Sequence, residues 1–237
     1  MIKLAVFWLA VLYCLASLPG DLRAEGLPVD LTLVLAVDAS GSVDDSEFAL
    51  QLAGIAAGFR DPKVRDAIKS GPEGRIAVNL LVWADHQVPK DTSGWYTIGS
   101  DEEAEIFARI VEHFPRNQNG ATGIGEGIAS ALRAIDTSGF EARRKVVDVS
   151  GDGRETLARE FVVLLPQARA MAFALGVTIN GLAITNEDPS LLSYFIDRVR
   201  TGDGSFALAA TGYEAFAEAM RRKLLREIQY RPSISQR

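Results

Sequence analysis

The stretch Leu31-Thr32-Leu33-Val34-Leu35-Ala36-Val37-Asp38-Ala39-Ser40-Gly41-Ser42 joins an apolar run to a cluster of oxygen-bearing side chains. Its first seven residues present apolar side chains to both faces of an extended chain, which predicts a central strand, over 30–38, in a sheet covered on both sides. Past the strand, Asp38, Ser40 and Ser42 place one carboxylate and two hydroxyls at alternate positions in a loop leading to a helix. Hard divalent cations prefer such oxygen ligands. The same residues also suit ordinary helix capping: Ser42 is the expected N-cap, with Asp45 three residues on and Asp44 and Glu47 in the first turn.

Outward from this stretch the chain alternates between the two hydrophobic periods. Phe48, Leu52, Ile55, Ala56 and Phe59 recur at helical spacing up to Arg60, before Pro62. A short helix is expected over 63–69, a strand over 75–84 and a weaker partner strand over 94–98. A helix over 101–114 should bury Ala104, Phe107, Ile110 and Val111, and another is expected over 124–135. Between those two helices lies a polar connection, 115–125, with glycines at 120, 123 and 125 around Thr122. A strand over 144–149 ends in Ser150-Gly151-Asp152-Gly153. Residues 155–175 read as one helix bent near Pro166. Then come a strand over 176–184, a helix over 189–200, a strand over 205–209 and an amphipathic helix over 213–228. This alternation predicts one α/β domain over 25–230, doubly wound around a mostly parallel sheet with helices on both faces. Residues 231–237 are expected to form a loose tail.

The first residues have a different origin. Met1-Ile2-Lys3 followed by an apolar stretch over 4–18 and the small residue Ala24 resembles a secretory signal peptide, expected over 1–24. The apolar stretch falls short of the roughly 20 residues that span a bilayer, although an uncleaved anchor is the competing reading. The only cysteine, Cys14, lies inside this segment behind Tyr13, so a cleaved chain would contain no disulfide. Cleavage removes Lys3, Arg23 and Asp21 and leaves 23 basic against 30 acidic residues, a net charge of −7. An acidic, periplasmic or secreted protein of this kind is a poor match for nucleic acid or an anionic membrane surface, and no membrane insertion is expected after cleavage.

In an open α/β sheet the loops at the carboxyl ends of the strands meet on one edge. That rule places Asp38, Ser40 and Ser42 beside Asp152, with Thr122 positioned to join them. Two carboxylates so close repel each other, and a cation between them removes the conflict. Each piece alone has a simple structural explanation as cap, turn or strand exit; their joint occurrence in order favours a site.

Asp38-x-Ser40-x-Ser42, Thr122 and Asp152 resemble the metal-ion-dependent adhesion site of von Willebrand factor A domains. More narrowly, four segments look like a bacterial family of exported, von Willebrand A-like proteins of unknown function: 33–43, 147–153, Asn180-Gly181-Leu182-Ala183-Ile184, and 216–224. The resemblance implies that Ser40 and Ser42 bind the metal directly. Thr122, Asp38 and Asp152 would bind directly or through water. Magnesium is the implied occupant, with manganese or calcium as alternatives, and a protein partner's acidic group would fill an open coordination position. Two departures stand out: Arg154-Glu155-Thr156 where the family tends to have asparagines, and Asp197-Arg198-Val199 where it tends to have a cysteine.

The expected function is therefore an exported binding module and not an enzyme. A metal-dependent hydrolase is the alternative, but there is no Gly-x-Ser-x-Gly elbow, and Ser40 stands where an aspartyl-phosphatase would carry its second aspartate. His86, at a strand end, could approach the site edge, whereas His113 lies away from the motif loops. A third reading is a structural domain with a stabilising cation.

Overall fold

The computed structural model describes residues 26–87, 89–156 and 162–229. The expected signal segment and tail lie outside them. The elements are β1 Leu27–Val29, β2 Thr32–Asp38, α1 Asp45–Arg60, α2 Pro62–Lys69, β3 Ile76–Trp83, β4 Asp91–Ile98, α3 Asp101–Glu112, α4 Ile124–Asp136, β5 Phe140–Ala142, β6 Lys145–Gly151, α5 Leu165–Leu175, β7 Thr178–Ile184, α6 Leu191–Tyr194 continued by a π-helical turn Phe195–Val199, β8 Ala207–Ala210 and α7 Phe216–Ile228. Six strands form one sheet in the order β4-β3-β2-β6-β7-β8. β4 runs antiparallel to β3, and the other neighbours are parallel. The α/β, doubly wound reading of the sequence is correct.

All seven residues of β2 are buried. Leu33, Leu35 and Val37 belong to one core cluster, with Phe48, Ile55 and Phe59 of α1, Phe107 of α3 and Phe216 of α7. Val34 and Ala36 point the other way, into a cluster with Ile128 of α4, Ala168 of α5 and Phe195. The period of two in the strand thus serves two helical layers at once, which is why its sequence shows no polar face. The chain goes from β2 to β3 on one side and returns to β6 on the other. The carboxyl ends of β2 and β6 therefore flank the point where strand order reverses, the usual crevice for a ligand in such sheets. Among the described residues, no helix is long and apolar enough to cross a membrane.

Several local expectations need correction. The N-cap of α1 is Asp44, not Ser42: Asp44 Oδ1 accepts the Glu47 amide and Glu47 Oε2 accepts the Asp44 amide, both at 2.8 Å. This reciprocal pair satisfies two free donors and leaves Ser42 outside the helix. The helix expected over 155–175 starts only at Leu165, with Pro166 in its first turn, where a missing N–H costs nothing. Residues 162–164 are not helical, and 157–161 lie outside the described residues. Residues 27–29, expected as linker, form β1 and pair with β5 in a separate two-stranded sheet. In α3, Ala108 is buried and Ile110 only half-buried.

Candidate metal centre

Asp38 ends β2 with its side chain fully buried. The amide of Ser40 donates to Asp38 Oδ1 at 2.7 Å, turning the chain across the end of the sheet. Behind the turn, Gln51 of α1 donates from Nε2 to the Asp38 carbonyl at 3.0 Å and accepts the Ser150 hydroxyl at 3.3 Å. One buried side chain thus ties the ends of β2 and β6 together. From the solvent side, Arg116 closes the same turn: it pairs with Asp45 at 2.5 Å and donates to the carbonyls of Val43, Ala39 and Ser40. A further backbone bond, Gly41 N to Gly120 O at 2.8 Å, joins this loop to the one carrying Thr122. Gly120 supplies that carbonyl from a φ of +113°, which a side chain rarely adopts.

Four of the five expected residues come together through direct bonds. The hydroxyls of Ser40 and Ser42 lie 3.3 Å apart, and Ser42 donates to Asp152 Oδ1 at 2.7 Å. Ser40 is buried and Ser42 exposed, so the cluster runs from the interior to the surface. Thr122 is placed alongside them. Its amide donates to Thr156 Oγ1 at 2.7 Å, and its carbonyl accepts the Thr156 amide at 2.9 Å. Its own hydroxyl is 3.4 Å from where a β-carbon on Gly153 would sit, and it makes no hydrogen bond with the other four among the described residues.

Asp38 Oδ2 is buried and has no hydrogen-bond partner among the described residues. It approaches Gly151 so closely that a β-carbon there would lie 2.8 Å from it. Burial, and secondarily the negative charge of Asp152, push the Asp38 carboxyl up to about 7. An ionised carboxylate with one buried oxygen left unbonded is costly. The Asp38 and Asp152 carboxylates and the Ser40 and Ser42 hydroxyls form a hard-oxygen donor set whose chemistry suits magnesium, manganese or calcium. No group of three or more His, Cys, Asp or Glu side chains capable of holding a metal occurs among the described residues, so a cation here depends on the hydroxyl oxygens.

The sequence reading missed Tyr213 and Arg116. Tyr213 is buried just before α7 and donates from its hydroxyl to Asp152 Oδ2 at 2.9 Å. Burial and the Asp152 charge raise its pKa. Neither contact has a local signal, because each spans many residues. The departure at 154–156 is absorbed structurally. Arg154 pairs with Asp188 at 2.9 Å, donates to Ser190 at 2.6 Å and lies over the Tyr194 ring. Glu155 accepts the amides of Gly125 and Leu165. The His86 ring nitrogens are buried without a partner among the described residues, and His113 Nδ1 lies 2.9 Å from the Arg109 carbonyl at the end of α3.

Strand order and edge loops define a von Willebrand factor A-like fold. The fold is shared with solved structures of low sequence identity. The pilus adhesin SpaC from Lactobacillus rhamnosus GG matches with a TM-score of 0.57 and 15% identity over 85% of this chain and 31% of the adhesin. The von Willebrand factor domain of the type V pili tip protein Mfa5 from Porphyromonas gingivalis gives 0.56 and 12% over 90% of this chain and 99% of that domain. Proximal thread matrix protein 1 from the mussel byssus, with a zinc-occupied adhesion-site motif, gives 0.50 and 14% over 86% and 49%. The chain thus spans about a third of the pilus adhesin and about half of the byssus protein. No curated protein matches by sequence. The chain belongs to the family described as "Protein of unknown function (DUF1194)", whose profile matches residues 28–232.

Proposed function

We propose that this protein is an exported, non-enzymatic binding module that uses Asp38, Ser40, Ser42, Thr122 and Asp152 to hold a divalent cation, most naturally magnesium, and through it an acidic group of a protein partner. One observation carries the reading: Asp38 Oδ2 is buried without a hydrogen-bond partner among the described residues, and Ser40, whose amide bonds the other oxygen of that carboxylate, begins a hydroxyl chain that leads to Asp152 and the surface. The cation supplies positive charge to both carboxylates and, at its exposed side, a position for an incoming oxygen ligand. The protein's part is to hold the donors in place through Gln51, Arg116 and Tyr213. Pilus and byssus proteins sharing the fold support an adhesive role outside the cell, and the zinc-occupied motif in one of them supports a cation in this type of crevice. On the hydrolase alternative, Asp152 would have to serve as the base for Ser42, and the hydrogen bond it also accepts from Tyr213 weakens it in that role.

Thermal melting tests the cation directly. At a hundredfold excess over its Kd a ligand stabilises the folded state by about 2.7 kcal/mol, which for a domain of this size is a rise of roughly 5–10 °C. Magnesium or manganese should produce such a rise in the wild type and none in Ser42→Ala or Asp38→Ala. Ser42 is exposed, so its variant should remain folded. A partner should be captured from the exported fraction only with the cation present; equal capture in chelator would overturn the metal-bridged reading. A melting rise with neither capture nor turnover would instead support a purely structural cation.

A further inference from the structure

At the opposite end of the sheet from the metal crevice, a cavity of about 480 Å³ opens between the starts of β6 and β7 and the end of α7. Its wall includes Arg143, Arg144, Lys145, Asn180, Phe206 and Arg226. Such a concentration of cations is unexpected in a chain whose net charge is −6. Arg143 and Arg144 are already engaged: Arg143 with Glu73, Arg144 with the carbonyls of Glu227 and Ile228 that end α7. Lys145 and Arg226 differ, since neither makes an ion pair or a side-chain hydrogen bond among the described residues.

Arg226 is nonetheless held in place. Its guanidinium carbon lies 3.7 Å from the centroid of the Phe206 ring. This contact holds the guanidinium over the ring while its N–H donors make no hydrogen bond among the described residues, which suits two-point recognition of an oxyanion. The cavity floor is a buried polar cluster in which Glu227 Oε2 and the Asp148 oxygens have no hydrogen-bond partner among the described residues. Asn180 is buried, donates to Glu227 Oε1 at 2.8 Å and accepts the Phe206 amide at 3.0 Å. Beneath it, Lys223 bridges Asp148 at 2.6 Å and Glu227 at 2.8 Å, so its charge is already balanced. Asp203 is the one exposed acid in the wall, and it pairs with neither Lys145 nor Arg226 among the described residues.

We propose that this cavity is a second binding site, independent of the metal crevice, for a small phosphate-bearing ligand held by the Arg226 fork and the Lys145 ammonium. Two uncommitted cations match the double charge of a phosphate better than the single charge of a carboxylate. The volume exceeds what a bare phosphate ion fills, so the ligand carries an organic part.

Calorimetric or NMR titration of the full chain in chelator, with inorganic phosphate and separately with glycerol 3-phosphate, tests this. The expected result is saturable binding with a Kd on the order of 1 mM or tighter, tighter for the organic phosphate, and weakened by added salt. Combining Lys145→Gln with Arg226→Gln should weaken binding at least tenfold, and Arg226→Lys should fall between that and wild type. Ser42→Ala should bind phosphate as wild type does, which separates this site from the metal reading. Both glutamine changes replace side chains with solvent contact and should leave the melting temperature within a few degrees. Absence of saturable binding to either probe, or wild-type affinity in the double variant, overturns the proposal. Equal affinity for the two probes would overturn the organic part.

Discussion

Asp152 offers its two oxygens to different parts of the chain, Oδ1 to Ser42 and Oδ2 to Tyr213. The tyrosine hydroxyl stabilises the negative charge of a carboxylate whose field raises the Asp38 pKa. Hydrogen bonds to charged groups contribute about 1.5–3 kcal/mol. Tyr213→Phe should therefore destabilise the cation-free protein by about that amount. Because a bound cation takes over the same compensation, the melting rise on adding magnesium should be larger in Tyr213→Phe than in wild type. Paired melts with and without magnesium measure this; an equal or smaller rise would show that Tyr213 acts only on packing. Asp38 needs no such donor to be legible, since it ends an apolar strand.

At the scale of elements, Glu155 connects the starts of two helices. Its Oε1 accepts the amide of Gly125 in the first turn of α4, at 2.8 Å, and its Oε2 accepts the amide of Leu165 at the start of α5, at 3.1 Å. A carboxylate at two helix N-termini satisfies two otherwise free donors and interacts favourably with both dipoles. Glu155→Ala should cost about 1–3 kcal/mol, the usual penalty for stranding partly buried polar groups. Amide exchange at Gly125 and Leu165 should accelerate by at least tenfold while that in β2 and β6 changes only with global stability. Uniform acceleration would mean that Glu155 does not hold these ends individually. The segment reads as helix from sequence because its composition is apolar and alanine-containing. The tertiary demand at Gly125 and Leu165 decides instead that Glu155 serves as a cap.

For the molecule as a whole, the buried cluster of Asp148, Lys223 and Glu227 ties α7 to β6 and makes stability depend on pH. Burial, with Asp148 adding to it and Lys223 opposing it, holds the Glu227 carboxyl well above the usual carboxylate range. The folded protein then retains a proton that the unfolded chain releases. Stability should fall as pH rises from the ordinary carboxylate range into the neutral range. Glu227→Gln removes this titration while Asp148 continues to pair with Lys223 at 2.6 Å. Urea unfolding in chelator at pH 5 and pH 8 should show a smaller loss in Glu227→Gln than in wild type. An identical loss in both would place the titration elsewhere.

The sequence alone determined the alternation of strands and helices, the both-faced burial of Leu33 to Val37, and four chemically coherent residues at two strand ends. These are local periodicities, and parallel topology then brings the carboxyl ends of central strands to one edge. It also marked Thr122 as a loop residue near that edge, although its hydroxyl reaches Gly153 and not the bonded chain of the other four. Only the tertiary structure decided that Asp44 caps α1 and leaves Ser42 to meet Asp152, that β1 pairs with β5, and that Tyr213, Gln51 and Arg116 support the crevice. Residues far apart in the chain make most of these contacts. Their energies depend on distances set by helix packing against the sheet, which no local pattern encodes.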